Sequence, residues 1–167
     1  GRALALTLFA GEFGIADFSF IPTQQNSFIY HCDLATGVAE RLSLPQGDVL
    51  DSSPTFSPDG TQLAWLRIAA SDNIDEPTIE VIVYDRPSGT ETVITTLNTQ
   101  PRLGVGSGWV DWGPGGIAIR DHMDSSQFGT PLVSIYTDQG EFIMDSSQVE
   151  LAGGNAIMRE WALLNNQ

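Results

Sequence analysis

Hydrophobic and polar positions alternate with a period of two along most of this chain, and turn-forming residues break the alternation at short intervals. The clearest run is SPTFSPDGTQLAWLR, from Ser53 to Arg67. It predicts a short strand ending at Phe56, a turn at Pro58-Asp59-Gly60, and a second strand. In that second strand Leu63, Trp65 and Arg67 share one face, and Ala64 and Leu66 share the other. Pro58 presets φ, Asp59 can accept from nearby backbone, and Gly60 supplies the positive φ that closes the hairpin. Related patterns lie on either side. Strands are predicted over 28–33 and 38–42 around a turn at 34–37, and over 78–85 and 90–97 around a turn at 86–89. A third unit opens over 107–120 around a turn at 114–116, and strands follow over 132–136 and 141–144 around a turn at 137–140. Long helical periods are scarce, so the expected class is all-β with antiparallel sheets.

Aligned on the turns, Pro114 falls 56 residues after Pro58, Gly116 falls 56 after Gly60, and Trp112 takes the place of Phe56. Three units are expected on that alignment, over 15–44, 53–97 and 107–144. Four strands in about 45 residues is the length of a propeller blade. Residues 1–14 read as an apolar N-terminal strand with Leu4, Leu6 and Leu8 on one buried face. The alternative is the remnant of a signal or membrane anchor. Residues 153–167 start a further unit, with a strand over 158–164, or form a short helix capped by Asn155.

The 53–67 string resembles the repeat of TolB-type, WD-repeat-like β-propellers, in which P-x-F-S-P-D-G-x-x-I-A-F opens each blade. FIYHCDLATGVAERLSL, from Phe28 to Leu44, is similar to the second half of such a blade. The resemblance covers 15–144 and is most specific at 53–67. The third unit departs from the motif by carrying Gly115 where Asp belongs. Such propellers typically close with six blades, and about three are present. The resemblance therefore implies a partial or incomplete propeller with an open edge strand and an uncovered blade face. The chain is then a fragment of a longer protein, a piece completed by another copy or subunit, or a smaller open sandwich built from the same hairpins.

Charge narrows the partners. Twenty-one acidic residues against seven arginines and no lysine give a net charge of −14. That argues against nucleic acid, which needs a basic stripe, and against electrostatic docking on anionic lipid. No stretch reaches the ~20 apolar residues of a membrane span. One cysteine, Cys32, excludes an intrachain disulfide and is expected to be a buried, inert thiol. Its neighbour His31 should face the other side of the strand, so the two do not form a nucleophile and base.

Candidate chemistry is sparse. The chain has two histidines, and it lacks H-E-x-x-H, G-x-S-x-G and a phosphate loop. The Gly-rich 104–108 segment lacks the lysine and following helix that a phosphate loop needs. Asp121, His122 and Asp124 form the one candidate metal cluster, against the plainer reading of a solvated loop. Asp72, Asp75 and Glu76 make a second acidic loop without EF-hand spacing. The Asp-Ser-Ser triplets at 51–53, 124–126 and 145–147 read as turn chemistry. Trp109, Trp112 and Trp161 are the candidates for anchoring a protein partner or stacking on a sugar, although such aromatics usually belong to the core. No catalytic residue and no cofactor is expected. By its resemblance the chain is expected to be a non-enzymatic interaction module. It would be an extracytoplasmic, periplasmic accessory subunit that binds a protein partner through its open sheet edge and meets a membrane complex through its apolar N-terminus. The alternatives are a propeller fragment of a prolyl-oligopeptidase-type serine hydrolase and a carbohydrate-binding β domain.

Overall fold

Eleven strands and no helix make up the residues described by the computed structural model, which are 3–10, 26–43, 49–69, 78–97, 109–120 and 133–145. The first seven strands are β1 (Ala3–Ala10), β2 (Asn26–Asp33), β3 (Ala39–Arg41), β4 (Val49–Phe56), β5 (Gln62–Ala69), β6 (Thr78–Asp85) and β7 (Thr90–Leu97). They form one sheet in the order β1-β2-β4-β5-β6-β7, with β3 paired to β2. The remaining four are β8 (Trp109–Gly113), β9 (Gly116–Arg120), β10 (Val133–Tyr136) and β11 (Phe142–Asp145), in a second sheet ordered β11-β10-β9-β8. Every pairing is antiparallel except β2 with β4, which meet in parallel at Ser27 and Leu50. The large sheet is thus a three-stranded piece, β1–β3, joined edge-on to a four-stranded meander, β4–β7. β1 pairs with β2 along its whole length, so the apolar N-terminal strand belongs to the sheet of the first unit.

The turns are built as their residues dictate. Gly60 has a φ of +73° and donates its N–H to Ser57 O at 2.9 Å. Asp59 Oδ1 accepts from Thr61 N at 3.0 Å and from Ser57 Oγ at 2.7 Å. The β2–β3 and β6–β7 turns are near copies of each other. Gly37 and Gly89 have φ of +72° and +70°, and each donates to the carbonyl of the Asp four residues earlier at 2.8 Å. In the first of these turns Asp33 Oδ1 accepts from Ala35 N at 2.7 Å and from Thr36 N at 3.1 Å. Hydrogen bonds from the Ala35 and Thr36 backbone lower the pKa of Asp33. Those from the Thr61 backbone and the Ser57 and Thr61 hydroxyls lower that of Asp59. A depressed carboxylate pKa contributes stability that is present above the ordinary value of 3.8 and lost as pH falls through the lower folded-state value. Asp59→Asn is therefore expected to be less stable than the parent at neutral pH. The gap should close on acidification below 3.8, which urea denaturation across pH would detect.

Strand alternation sorts the core into two layers, one on each face of the meander. Leu63 and Trp65 on β5 and Ile82 on β6 pack against Ile29 and Leu42 of the three-stranded piece. Ala64, Leu66, Ile79, Val81 and Val83 point the other way and pack against Val110, Ile117 and Ile119 of the second sheet, with Trp112 and Tyr136 at the margin. Burying each large aliphatic side chain contributes about 1.5–3 kcal/mol, so both layers are substantial. In β4 the register shifts between Ser52 and Thr55, where Ser53 has a φ of +55°. The bulge also accommodates Pro54, which has no N–H for a ladder.

One turn is also a packing contact. Gly140, φ +83°, lies at the β10–β11 turn, and a Cβ there would collide with the backbone carbonyl of Ile94 on β7. Gly37 has a similar φ but open space around it. Gly140→Ala is therefore expected to cost about 2–4 kcal/mol, from left-handed strain plus overpacking. Gly37→Ala should cost about 1–2 kcal/mol, from strain alone. Equal shifts in urea midpoint for the two would contradict this contact between the sheets.

Candidate functional site

The exposed side of the three-stranded piece is its most unusual surface. Register places Leu4 opposite Cys32, Leu6 opposite Tyr30 and Leu8 opposite Phe28. On the other flank of β2, Ala39 lies opposite Cys32 and Arg41 opposite Tyr30. Directly paired residues share a face, so these side chains form one surface, apolar except for Arg41. Leu4 is 45% exposed and Leu8 48%. The expected buried leucine face of the N-terminal strand is therefore corrected. Ala5, on the opposite face, is the β1 residue that packs on the core, because that face lies against the meander. Cys32 belongs to the same outer surface and is half-buried, where a buried thiol was expected. The Arg41 guanidinium covers Phe28 at 3.5 Å from the ring centroid.

β1 is also an edge strand, with β2 on one side and no described strand on the other. Its sequence, ALALTLFA, contains no charge and no proline, and its ladder to β2 has no bulge. Those are the devices that usually keep an edge from pairing with another chain. A long, uncharged edge beside an exposed apolar face is suited to accepting a strand or a sheet.

The strongest electrostatic feature lies inside the meander. Arg67 on β5 directly opposes Asp51 on β4. Its Nε donates to Asp51 Oδ1 at 2.8 Å and its Nη2 to Asp51 Oδ2 at 2.9 Å, a two-pronged contact. Nη1 donates to Glu91 Oε2 on β7 at 2.7 Å. Burial works against the guanidinium charge, but hydrogen bonds and attraction from the two carboxylates outweigh it and raise the Arg67 pKa. Asp51 is fully buried. The Asp51-Ser52-Ser53 triplet, read from sequence as turn chemistry, is thus part of a strand. Sequence reading missed Asp51 because an acid beside two serines matches a turn composition. The usable signal was Arg67 in an alternating strand, since an inward cation needs an inward acid.

A smaller cluster ties the three-stranded piece to the meander's turns. Arg86 Nη1 donates to Gly60 O at 2.8 Å, and its Nη2 lies 3.2 Å from His31 Nε2. The His31 ring meets Phe56 edge to face at 6.2 Å. His31 and Cys32 do face opposite sides of β2, as strand geometry requires.

Of the predicted site residues, Trp112 on β8 is half-buried against the layer between the sheets. Trp109 is the first residue of β8. Asp121, His122, Asp124 and Trp161 lie outside the described residues, as do Asp72, Asp75 and Glu76. Among the described residues, no group of three or more His, Cys, Asp or Glu is placed to hold a metal ion. No helix among them is long and apolar enough to cross a membrane.

No protein-family model matches the chain, and no curated protein matches it. Solved structures do. An oligogalacturonate lyase in complex with manganese aligns at a TM-score of 0.52 and 16% identity, over 68% of this chain and 35% of that one. An oligogalacturonate lyase from Vibrio parahaemolyticus aligns at 0.51 and 12%, over 75% and 38%. TolB from Acinetobacter baumannii aligns at 0.47 and 22%, over 81% and 29%. The chain thus spans 29% to 38% of the length of these structures. The lyases are β-propellers, and likeness at this identity bears on fold alone. The chain is all-β, with antiparallel sheets arranged as blades of a partial propeller, and its described strands do not close a ring.

Proposed function

We propose that this protein is a non-enzymatic interaction module, a partial propeller that acts as a scaffold by docking into a larger assembly through its open sheet edge. The observation that carries the reading is β1, an uncharged edge strand without the usual safeguards, beside the exposed Leu4 and Leu8. Charge sets the kind of partner. A surface of net charge −14 repels polyanions and favours neutral or cationic proteins. The resemblance of residues 53–67 to TolB-type repeats supports an extracytoplasmic location, which cell fractionation would test.

The reading is tested by cross-linking the protein in its native setting, measuring the particle mass by light scattering and identifying the attached chains. A defined complex whose cross-links map to β1 and the Leu4–Leu8 surface supports it. A lone 18.0 kDa particle that yields no cross-linked species would overturn it.

A further inference from the structure

We propose that His31 is an acid-sensitive latch between the β1–β3 unit and the meander, held by Arg86 while its ring is neutral and drawn to Glu40 once it is protonated. The latch is independent of the interaction-module reading.

The two parts of the large sheet meet along a short seam. One parallel residue pair, Ser27 with Leu50, joins β2 to β4. Ser27 Oγ reinforces it by donating to Asp51 O at 2.7 Å. Beneath the seam Ile29 and Leu42 pack against Leu63, Trp65 and Ile82. Towards the other end of β2, side chains take over from the ladder. Arg86, in the β6–β7 turn, is fixed to the β4–β5 turn twice. Its Nη1 donates to Gly60 O at 2.8 Å, and its backbone N–H donates to Thr61 O at 3.1 Å. Its Nη2 reaches across the seam to His31 Nε2 at 3.2 Å. Phe56 supports both partners, meeting the His31 ring edge to face at 6.2 Å and lying 5.9 Å from the Arg86 guanidinium.

That contact demands one protonation state. A guanidinium has five N–H donors, no acceptor and a permanent charge. His31 Nε2 must therefore carry the lone pair, which leaves the single ring proton on Nδ1. An imidazolium donates from both nitrogens. Protonation thus removes the acceptor and sets two cations 3.2 Å apart.

The charged groups around His31 decide where the protonated ring goes. β1 places Ala5 directly opposite, and its sequence ALALTLFA holds no ionisable side chain. β3 places Glu40 directly opposite on the other flank, so the two side chains share a face. Asp33, two residues along β2, lies on that face as well. Bonds from the Ala35 and Thr36 backbone are the main causes of the low Asp33 pKa, and attraction to His31 adds to them. The meander contributes Arg86, with Tyr84 in the neighbouring apolar cluster. Asp59 and Asp85 stand at the two turns, and their carboxylates accept from Thr61 N at 3.0 Å and Ser88 N at 2.9 Å. A charged ring is thus pushed from the meander side and pulled from the β3 side.

Two unit charges about 4 Å apart in water repel by enough to shift an equilibrium about fivefold. Burial of the apolar layer beneath the seam outweighs this, so acid eases local opening of the seam without unfolding the protein. The unit that it loosens is the one that carries the exposed Leu4 and Leu8.

The test uses the full chain. His31 and His122 are its two histidines, so His122→Asn leaves one imidazole in the nitrogen NMR spectrum. At about pH 8, above the histidine range, the His31 proton should sit on Nδ1. A proton on Nε2 there overturns the Arg86 bond. Hydrogen exchange in mild urea, corrected for the pH dependence of amide exchange itself, then reads the seam. Relative to β5 and β6, amides of β1 and β2 should lose about fivefold in protection between about pH 8 and about pH 5. The turn aspartates keep their charge over that range, since their pKa values lie below 3.8. His31→Gln retains an acceptor that cannot gain a proton, and Arg86→Gln removes the cation, so each should abolish the loss. Protection in the parent that does not change with pH, or a loss that persists in His31→Gln, overturns the latch.

Discussion

Replacing Arg67 by Ala is expected to destabilise the protein by about 3–5 kcal/mol, because it strands a buried charge. Asp51 has no exposed surface, and Arg67 is its charge partner at 2.8 Å. The Asp51 backbone carbonyl is also fixed, accepting from Ser27 Oγ at 2.7 Å, so the residue cannot swing out to water without breaking the β2–β4 junction. Glu91 is in a different position. Its side chain is 28% exposed, so Glu91→Gln should cost about 1 kcal/mol or less. Arg67→Lys should fall between the two, since an ammonium cannot reproduce the two-pronged contact. The double change Asp51→Leu with Arg67→Met should recover much of the loss, as apolar replacements of buried pairs often do. Urea unfolding of the four variants decides the matter. An Arg67→Ala variant within 1 kcal/mol of the parent would mean that water reaches Asp51 in the folded state.

Trp65→Ala should cost a similar amount, about 3–5 kcal/mol, by leaving a large cavity. Trp65 is fully buried among Leu63, Ile82, Ile29 and Leu42. Its ring tilts against Tyr84 at 5.9 Å, and the Arg67 guanidinium lies 6.0 Å from its centroid. Its indole N–H has no hydrogen-bond partner among the described residues. Trp65→Phe therefore gives up volume but no hydrogen bond, and should cost only about 1–2 kcal/mol. The site matters beyond its size, because a single parallel residue pair joins β2 to β4. With Trp65 gone, the three-stranded piece should open before the meander does. Hydrogen exchange in mild urea would then show β1 and β2 amides exchanging ahead of β5 and β6. Uniform loss across all four strands would argue that the two parts unfold as one.

Much of this architecture was legible in the sequence, for reasons that differ by element. The 53–67 hairpin could be read almost residue by residue, since Pro58, Asp59 and Gly60 leave the backbone little choice and alternation assigns the faces of Leu63 to Leu66. The turns ending at Gly37, Gly89 and Gly140 were equally plain, and all three glycines have positive φ. Side-chain environment was harder to read. Alternation marks two faces of β1 but cannot say which one meets the core. It is the face of Ala5 that turned inward, onto the cluster of Ile29, Leu42, Leu63, Trp65 and Ile82. Asp51 was hidden for a related reason. Local composition reports turn preference, whereas the partner that stabilises this acid lies 16 residues away on the next strand. The candidate metal cluster and Trp161 fall outside the described residues, so the structure bears on neither.

The bulge at Ser53 has a meaning best put in terms of parity. Asp51 opposes Arg67 and Phe56 opposes Leu63, and Arg67 and Leu63 lie an even number of residues apart, on one side of β5. Asp51 and Phe56 lie an odd number apart, so an unbroken strand would send them to opposite sides. The bulge takes up that odd residue and lets a buried acid and a core aromatic share one side of β4. Without the bulge, the chain at its present length would have to give up either the ion pair or the aromatic, whereas a chain one residue shorter at this point would keep both in an unbroken strand.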